Sequence, residues 1–188
     1  ANGALWIGDE FGPFLIKADM NGKVQAVFNT LVDGKEIRSP DHPAVTTPST
    51  PVDTVKFQAR RSKGYEGMAV SKDGSKLYAL LEGALWDEQA KAYEMLDGKQ
   101  YLRILEFDVK AGQWTGRHWK YVMEANHHAI GDFNMIDETT GLVIERDNRE
   151  GTSNYACTDG KKTNCFHDLP KFKRVYKIEM IEANVNGP

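Results

Sequence analysis

Glycine-containing turn pairs recur along the chain and cut it into short apolar runs: Asn21-Gly22, Asp33-Gly34, Asp73-Gly74, Asp97-Gly98 and Asp159-Gly160. These pairs accept the left-handed backbone that tight hairpins require, and the runs between them are too short for helices of ordinary length. An all-β fold is therefore expected. Phe14–Asp19 and Val24–Phe28 flank Asn21-Gly22, and Gly67–Ser71 and Lys76–Leu81 flank Asp73-Gly74. Tyr101–Phe107 and Gln113–Trp119 are joined at Lys110-Ala111-Gly112, and Phe133–Ile136 faces Leu142–Glu145 across Glu138-Thr139-Thr140-Gly141.

The hairpins share a grammar of apolar strand, polar turn and second apolar strand, which predicts the blades of a β-propeller. Blades recur at roughly 40 to 50 residues, so 188 residues hold about four of them. A ring completed by this chain alone is not expected; further chain or a second polypeptide would supply the remaining blades. The start at Ala1, without Met and inside a strand-like run, is expected to mark a piece of a longer or processed protein. Residues 1–188 are read as one propeller segment, with the Pro- and Thr-rich stretch 40–54 as an exposed loop between blades. Leu85–Leu96 has partial helical spacing and is expected to form a short surface helix or a long loop.

Charge and cysteine usage narrow the function classes. A net charge of −3 with interspersed acids and bases gives no footprint for nucleic acid or anionic membrane. No apolar run approaches the roughly 20 residues of a membrane span, and no cleavable signal is visible. Cys157 and Cys165 bracket a polar stretch, Thr158–Asn164, that suits a small disulfide hairpin in an oxidising compartment. Metal ligation is the weaker reading, because His167 alone does not complete a zinc set.

Acids at strand ends carry the functional signal. Trp6-Ile7-Gly8-Asp9-Glu10-Phe11-Gly12-Pro13 ends an apolar run in two carboxylates, and Leu142-Val143-Ile144-Glu145-Arg146-Asp147 does so again. Strands disfavour buried acids unless these are paired or bind a cation. Propeller strands line a channel, so acids from different blades converge there, and hard oxygen donors suit Ca²⁺. Asp9, Glu10, Glu66, Asp132, Glu145 and Asp147 are the candidate ligands, with Glu66 foremost because Gly67 beside it permits close backbone approach. Arg146, Arg149 and Lys63 are candidates for holding an anion such as phosphate, against the alternative of ordinary surface ion pairs. Strand alternation sets Arg146 on the face opposite Glu145 and Asp147.

Other motifs are less informative. Asn126-His127-His128 reads as a loop, since adjacent histidines on a strand point apart. No Ser-His-Asp signature, Gly-x-Ser-x-Gly elbow or Gly-rich phosphate loop is present. Trp86, Trp114 and Trp119 read as packing between sheets.

Four ordered motifs together resemble the esterase-like phytase family of secreted bacterial proteins: Gly8-Asp9-Glu10-Phe11-Gly12-Pro13, Gly64-Tyr65-Glu66-Gly67-Met68-Ala69-Val70-Ser71, Ile130-Gly131-Asp132-Phe133 and Val143-Ile144-Glu145-Arg146-Asp147-Asn148. Lys173–Ile178 is similar to that family's closing blade strand. The resemblance implies a β-propeller and phosphoric-ester hydrolysis in the periplasm or outside the cell. Metal-activated water would then be the nucleophile, with Glu10, Glu66 and Asp132 in catalytic roles and a small phosphorylated molecule as substrate. The alternative is a non-catalytic, calcium-stabilised propeller module for binding or assembly.

Overall fold

The computed structural model describes residues 3–45 and 57–187, and the part of the 40–54 stretch from residue 46 onward lies outside them. Three antiparallel sheets dominate. The first holds β1 (Ala4–Gly8), β2 (Phe14–Asp19) and β3 (Val24–Asn29), followed by a small hairpin of β4 (Leu31–Val32) and β5 (Lys35–Glu36). The second begins with β6 (Tyr65–Val70) and β7 (Lys76–Leu81). A short excursion through β8 (Trp86–Asp87), β9 (Ala92–Tyr93) and β10 (Met95–Leu96) then leads to β11 (Lys99–Asp108) and β12 (Gln113–Val122). The third sheet holds β13 (Ala129–Met135), β14 (Thr140–Arg146) and β15 (Lys173–Glu179).

The all-β reading and the hairpins follow the turn chemistry. Gly22 and Gly74 both adopt positive φ, at 82° and 71°, which is where the sequence places the tight turns. The segment 85–96 departs from the expected helix or loop. Trp86 pairs with Tyr93 across β8 and β9, their rings meet edge to face at 5.3 Å, and Arg60 lies over Tyr93. Cross-strand aromatic packing outweighs a weak helical period. Three large sheets form where chain length alone predicts about four blades, because the small hairpins and the irregular stretch between β14 and β15 consume the difference. Among the described residues the sheets do not close into a ring. No helix among the described residues is long and apolar enough to cross a membrane.

The core lies between sheets. Leu80, Leu102, Ile104 and Trp119 of the second sheet bury against Ile130, Phe133 and Val143 of the third. Trp6 and Phe28 of the first pack on Phe107 of the second, at 5.5 and 4.9 Å between ring centroids. Burial of each such side chain contributes roughly 1.5–3 kcal/mol. The second and third sheets meet so closely that a Cβ on Gly67 would lie 2.7 Å from Phe133 Cβ. Cys157 and Cys165 form a disulfide in the stretch between β14 and β15.

Candidate active site

The C-terminal ends of β1, β7 and β14 converge with the start of β6. Gly64 and Tyr65 donate backbone hydrogen bonds to the carbonyls of Glu10 and Asp9, at 3.0 and 3.2 Å, and Glu82 N donates to Gly64 O at 2.7 Å. A Cβ on Gly64 would sit 2.5 Å from Glu10 O, so no larger residue fits this junction. Glu10 follows β1, Glu82 follows β7, and Arg146 ends β14.

Glu66 reaches the same place by a different device. The β6 to β7 register shifts between Tyr65 and Gly67, leaving Glu66 as the extra, unpaired residue of a bulge. Bulges re-aim side chains at the margins of sheets. As a result, carboxylate oxygens of Glu10, Glu66 and Glu82 lie within 4.8 Å of one another. Glu82 is buried and its Oε1 accepts from Lys63 Nζ at 2.7 Å, while Arg146 Nη2 lies 3.9 Å from the same oxygen. Ser62 Oγ donates to Glu10 Oε1 at 2.9 Å and fixes that carboxylate. Glu66 is exposed, and partial desolvation first, then the charges of Glu82 and Glu10, raise its pKa above the ordinary carboxylate value, against the opposing pull of Arg146 and Lys63. The cluster thus combines three oxygen donors with two cationic side chains.

Of the acids singled out in the sequence, Glu10 and Glu66 are in this cluster and the others are engaged elsewhere. Asp9 caps its own loop, its Oδ2 accepting from Gly12 N at 2.5 Å. Asp132 turns along β13 and accepts from Phe133 N and from Asn134 Nδ2, at 2.7 and 2.9 Å. The bulge in β13 falls between Ile130 and Asp132, so Gly131, not the acid, occupies the position that Glu66 has in β6. Glu145 is fully buried and accepts from Tyr121 Oη at 2.7 Å and Glu124 N at 2.9 Å, with His128 Nδ1 2.7 Å away. Asp147 accepts from the backbone amides of Lys171 at 2.7 Å and Phe172 at 3.0 Å. Those amides, with that of Arg149, hold its pKa below the usual carboxylate value.

The candidate bases divide in the same way. Lys63 and Arg146 flank the cluster, whereas Arg149 pairs with Asp168 at 2.7 Å in the disulfide-bearing stretch. Alternation does separate Arg146 from Glu145 and Asp147, and the cluster lies on the Arg146 side. Glu82 is the member that sequence reasoning passed over. Its signal is Leu80-Leu81-Glu82-Gly83, an apolar run ending in an acid as at Glu10, at the second strand of the hairpin whose first strand carries Glu66.

Comparison with known proteins places the chain. Residues 1–188 match the family model described as "Phytase-like: Esterase-like activity of phytase". A protein of Arthroderma benhamiae described as "Uncharacterized secreted protein" is 30% identical over 118 residues. That match covers 57% of this chain and 22% of the fungal protein, so the chain spans well under half of its relative's length. No solved structure matches. The match along the whole chain makes this protein a member of the phytase-like family.

Proposed function

We propose that the chain is part of a secreted phosphoric-ester hydrolase acting from the Glu10, Glu66 and Glu82 cluster, and that its sheets are blades of a β-propeller. The observation that carries the first claim is the convergence of three carboxylates and two cationic side chains where the ends of β1, β7 and β14 meet the start of β6. Family membership supports ester hydrolysis, and the disulfide and the secreted relative support a periplasmic or extracellular location. The propeller reading rests on strand equivalence. β1, β7 and β14 each end at the cluster, so the first sheet takes the last three positions of a four-stranded blade, and the third sheet the first three. Further chain or a second polypeptide would complete the ring.

The donor set fits a hard divalent cation such as calcium, since all three ligands are carboxylates and an ammonium already sits against buried Glu82. Glu10, Glu66 and Glu82 would hold it, and once bound it supplies positive charge to a phosphoryl group and acidifies a water. The protein's own groups perform the rest. Arg146 offers a forked pair of donors and Lys63 a point charge to the oxygens of a small phosphorylated substrate. Glu66 holds its proton more tightly than an ordinary carboxylate while no cation is bound, and would give it up on binding one. Ser62 keeps Glu10 in place as a ligand. Asp132, turned along its own strand, has no part in this scheme.

Release of inorganic phosphate from phytate and from an aryl phosphate tests the reading. Turnover should require calcium, stop with chelator and fall in Glu66→Gln and Glu82→Gln. Calcium-dependent stability without turnover on any ester would refute the hydrolase and leave the non-catalytic module. That second reading draws on the Lys63 to Glu82 pair, which is also what a purely structural network contains.

A further inference from the structure

Lys63 is held at one end and free to exchange at the other. Its stem packs on Gly83, where a Cβ would lie 2.7 Å from Lys63 Cβ. The preceding residue, Ser62, adopts a left-handed φ of 53° while its hydroxyl binds Glu10. One turn therefore delivers both a hydroxyl and an ammonium to the acid cluster. The ammonium meets Glu82 at 2.7 Å, with the Lys63 side chain 31% exposed and that of Glu82 only 3%. Arg146 stands farther off at 3.9 Å, so Lys63 is the nearer counter-ion of the buried acid.

We infer that Lys63 is a tethered counter-ion that occupies the cation position at Glu82 and is displaced when a divalent cation binds. The inference rests on reading the cluster as a cation site. An ammonium 2.7 Å from Glu82 Oε1 and a divalent cation bound by the same carboxylate are like charges a few ångströms apart, so each disfavours the other and the two compete. Displacement frees a long, flexible cationic side chain beside the cluster. It becomes available to phosphoryl oxygens only after the cation has arrived, so Lys63 couples cation binding to anion binding. The lysine also neutralises the acids when no cation is present, which limits their mutual repulsion.

Calorimetric titration with calcium alone tests this on the wild type, Lys63→Met, Lys63→Gln and Glu82→Gln, with far-ultraviolet circular dichroism confirming the fold of each. Both neutral variants at position 63 should bind calcium about fivefold more tightly, equivalent to roughly 1 kcal/mol. The gain should vanish when Glu82→Gln is combined with either. Binding in a neutral variant alone, with none measurable in the wild type, would also support displacement. Unchanged or weaker affinity in the neutral variants, with normal binding by the wild type, would overturn the role of Lys63 and leave the cation site intact. Persistence of the gain in the Glu82→Gln background would overturn it too, as would failure of both neutral variants to fold. No binding by any variant would overturn this inference and the cation site together.

Discussion

Glu145 is a brace of the core by its surroundings, and its substitution separates that role from metal ligation. Its carboxylate is fully buried and engages Tyr121 Oη, Glu124 N and His128 Nδ1 at 2.7, 2.9 and 2.7 Å. Glu145→Ala leaves all three groups without their acceptor, Tyr121 in the core and the other two at its margin. Removing one side of such a buried network costs about 3–5 kcal/mol. In a domain of this size each kcal/mol lowers Tm by about 2–4 °C, so the midpoint should fall by roughly 10 °C. Glu145→Gln keeps the shape and an acceptor oxygen but loses the charge, and should cost about 1–3 kcal/mol. Thermal and urea denaturation followed by circular dichroism measure both. Calcium affinity of the folded variants should match that of the wild type. Small stability changes together with lost calcium binding would refute the brace and restore Glu145 as a ligand.

Two further substitutions probe the site and the sheet contact. The pKa of Glu66 is raised on folding, so as pH climbs past 4.5 the unfolded chain releases this proton before the folded one does. Stability of the metal-free protein therefore falls as pH rises through that window; Glu66→Gln should be the more stable variant at neutral pH and lose its advantage below pH 4.5, as urea midpoints across pH will register. Gly67→Ala would place a methyl group 2.8 Å from the backbone nitrogen of Phe133. Because that contact is to main chain, relief requires the second and third sheets to separate, and a loss of about 1–3 kcal/mol in urea denaturation is expected.

The hairpins were legible in the sequence because turn chemistry is local. Asn21-Gly22 and Asp73-Gly74 fix both the turns and, within a residue or two, the strands they join. Glu10 and Glu66 were legible for a related reason, as acids beside small residues in otherwise apolar runs. The destinations of Glu145, Asp147 and Asp132 were not. Each was an acid near a strand end with its partner distant in the chain or set by register: Tyr121 for Glu145, the amides of 171 and 172 for Asp147, and a bulge one residue away for Asp132. Glu82 shows the converse. Its character was visible, but only the convergence of three sheets gave it neighbours. The short pairings within segment 85–96 leave no period in the sequence, because they rest on aromatic contact across strands.

β14 carries Glu145 and Arg146 side by side, and it is paired along its length with β13 on one edge and β15 on the other. The core brace and the guanidinium beside the acid cluster are thereby set one residue apart on opposite faces of a central strand. A slip of a single position would carry Arg146 into the place of Glu145, among Tyr121 and His128, and Asp147 into the place of Arg146, adding a fourth acid to the cluster. The charge pattern of the candidate site is therefore recorded in the pairing of a sheet instead of in the shape of a loop. Mutations that loosen the edge at β15, one strand removed from the acid cluster, belong among those that can rewrite its electrostatics.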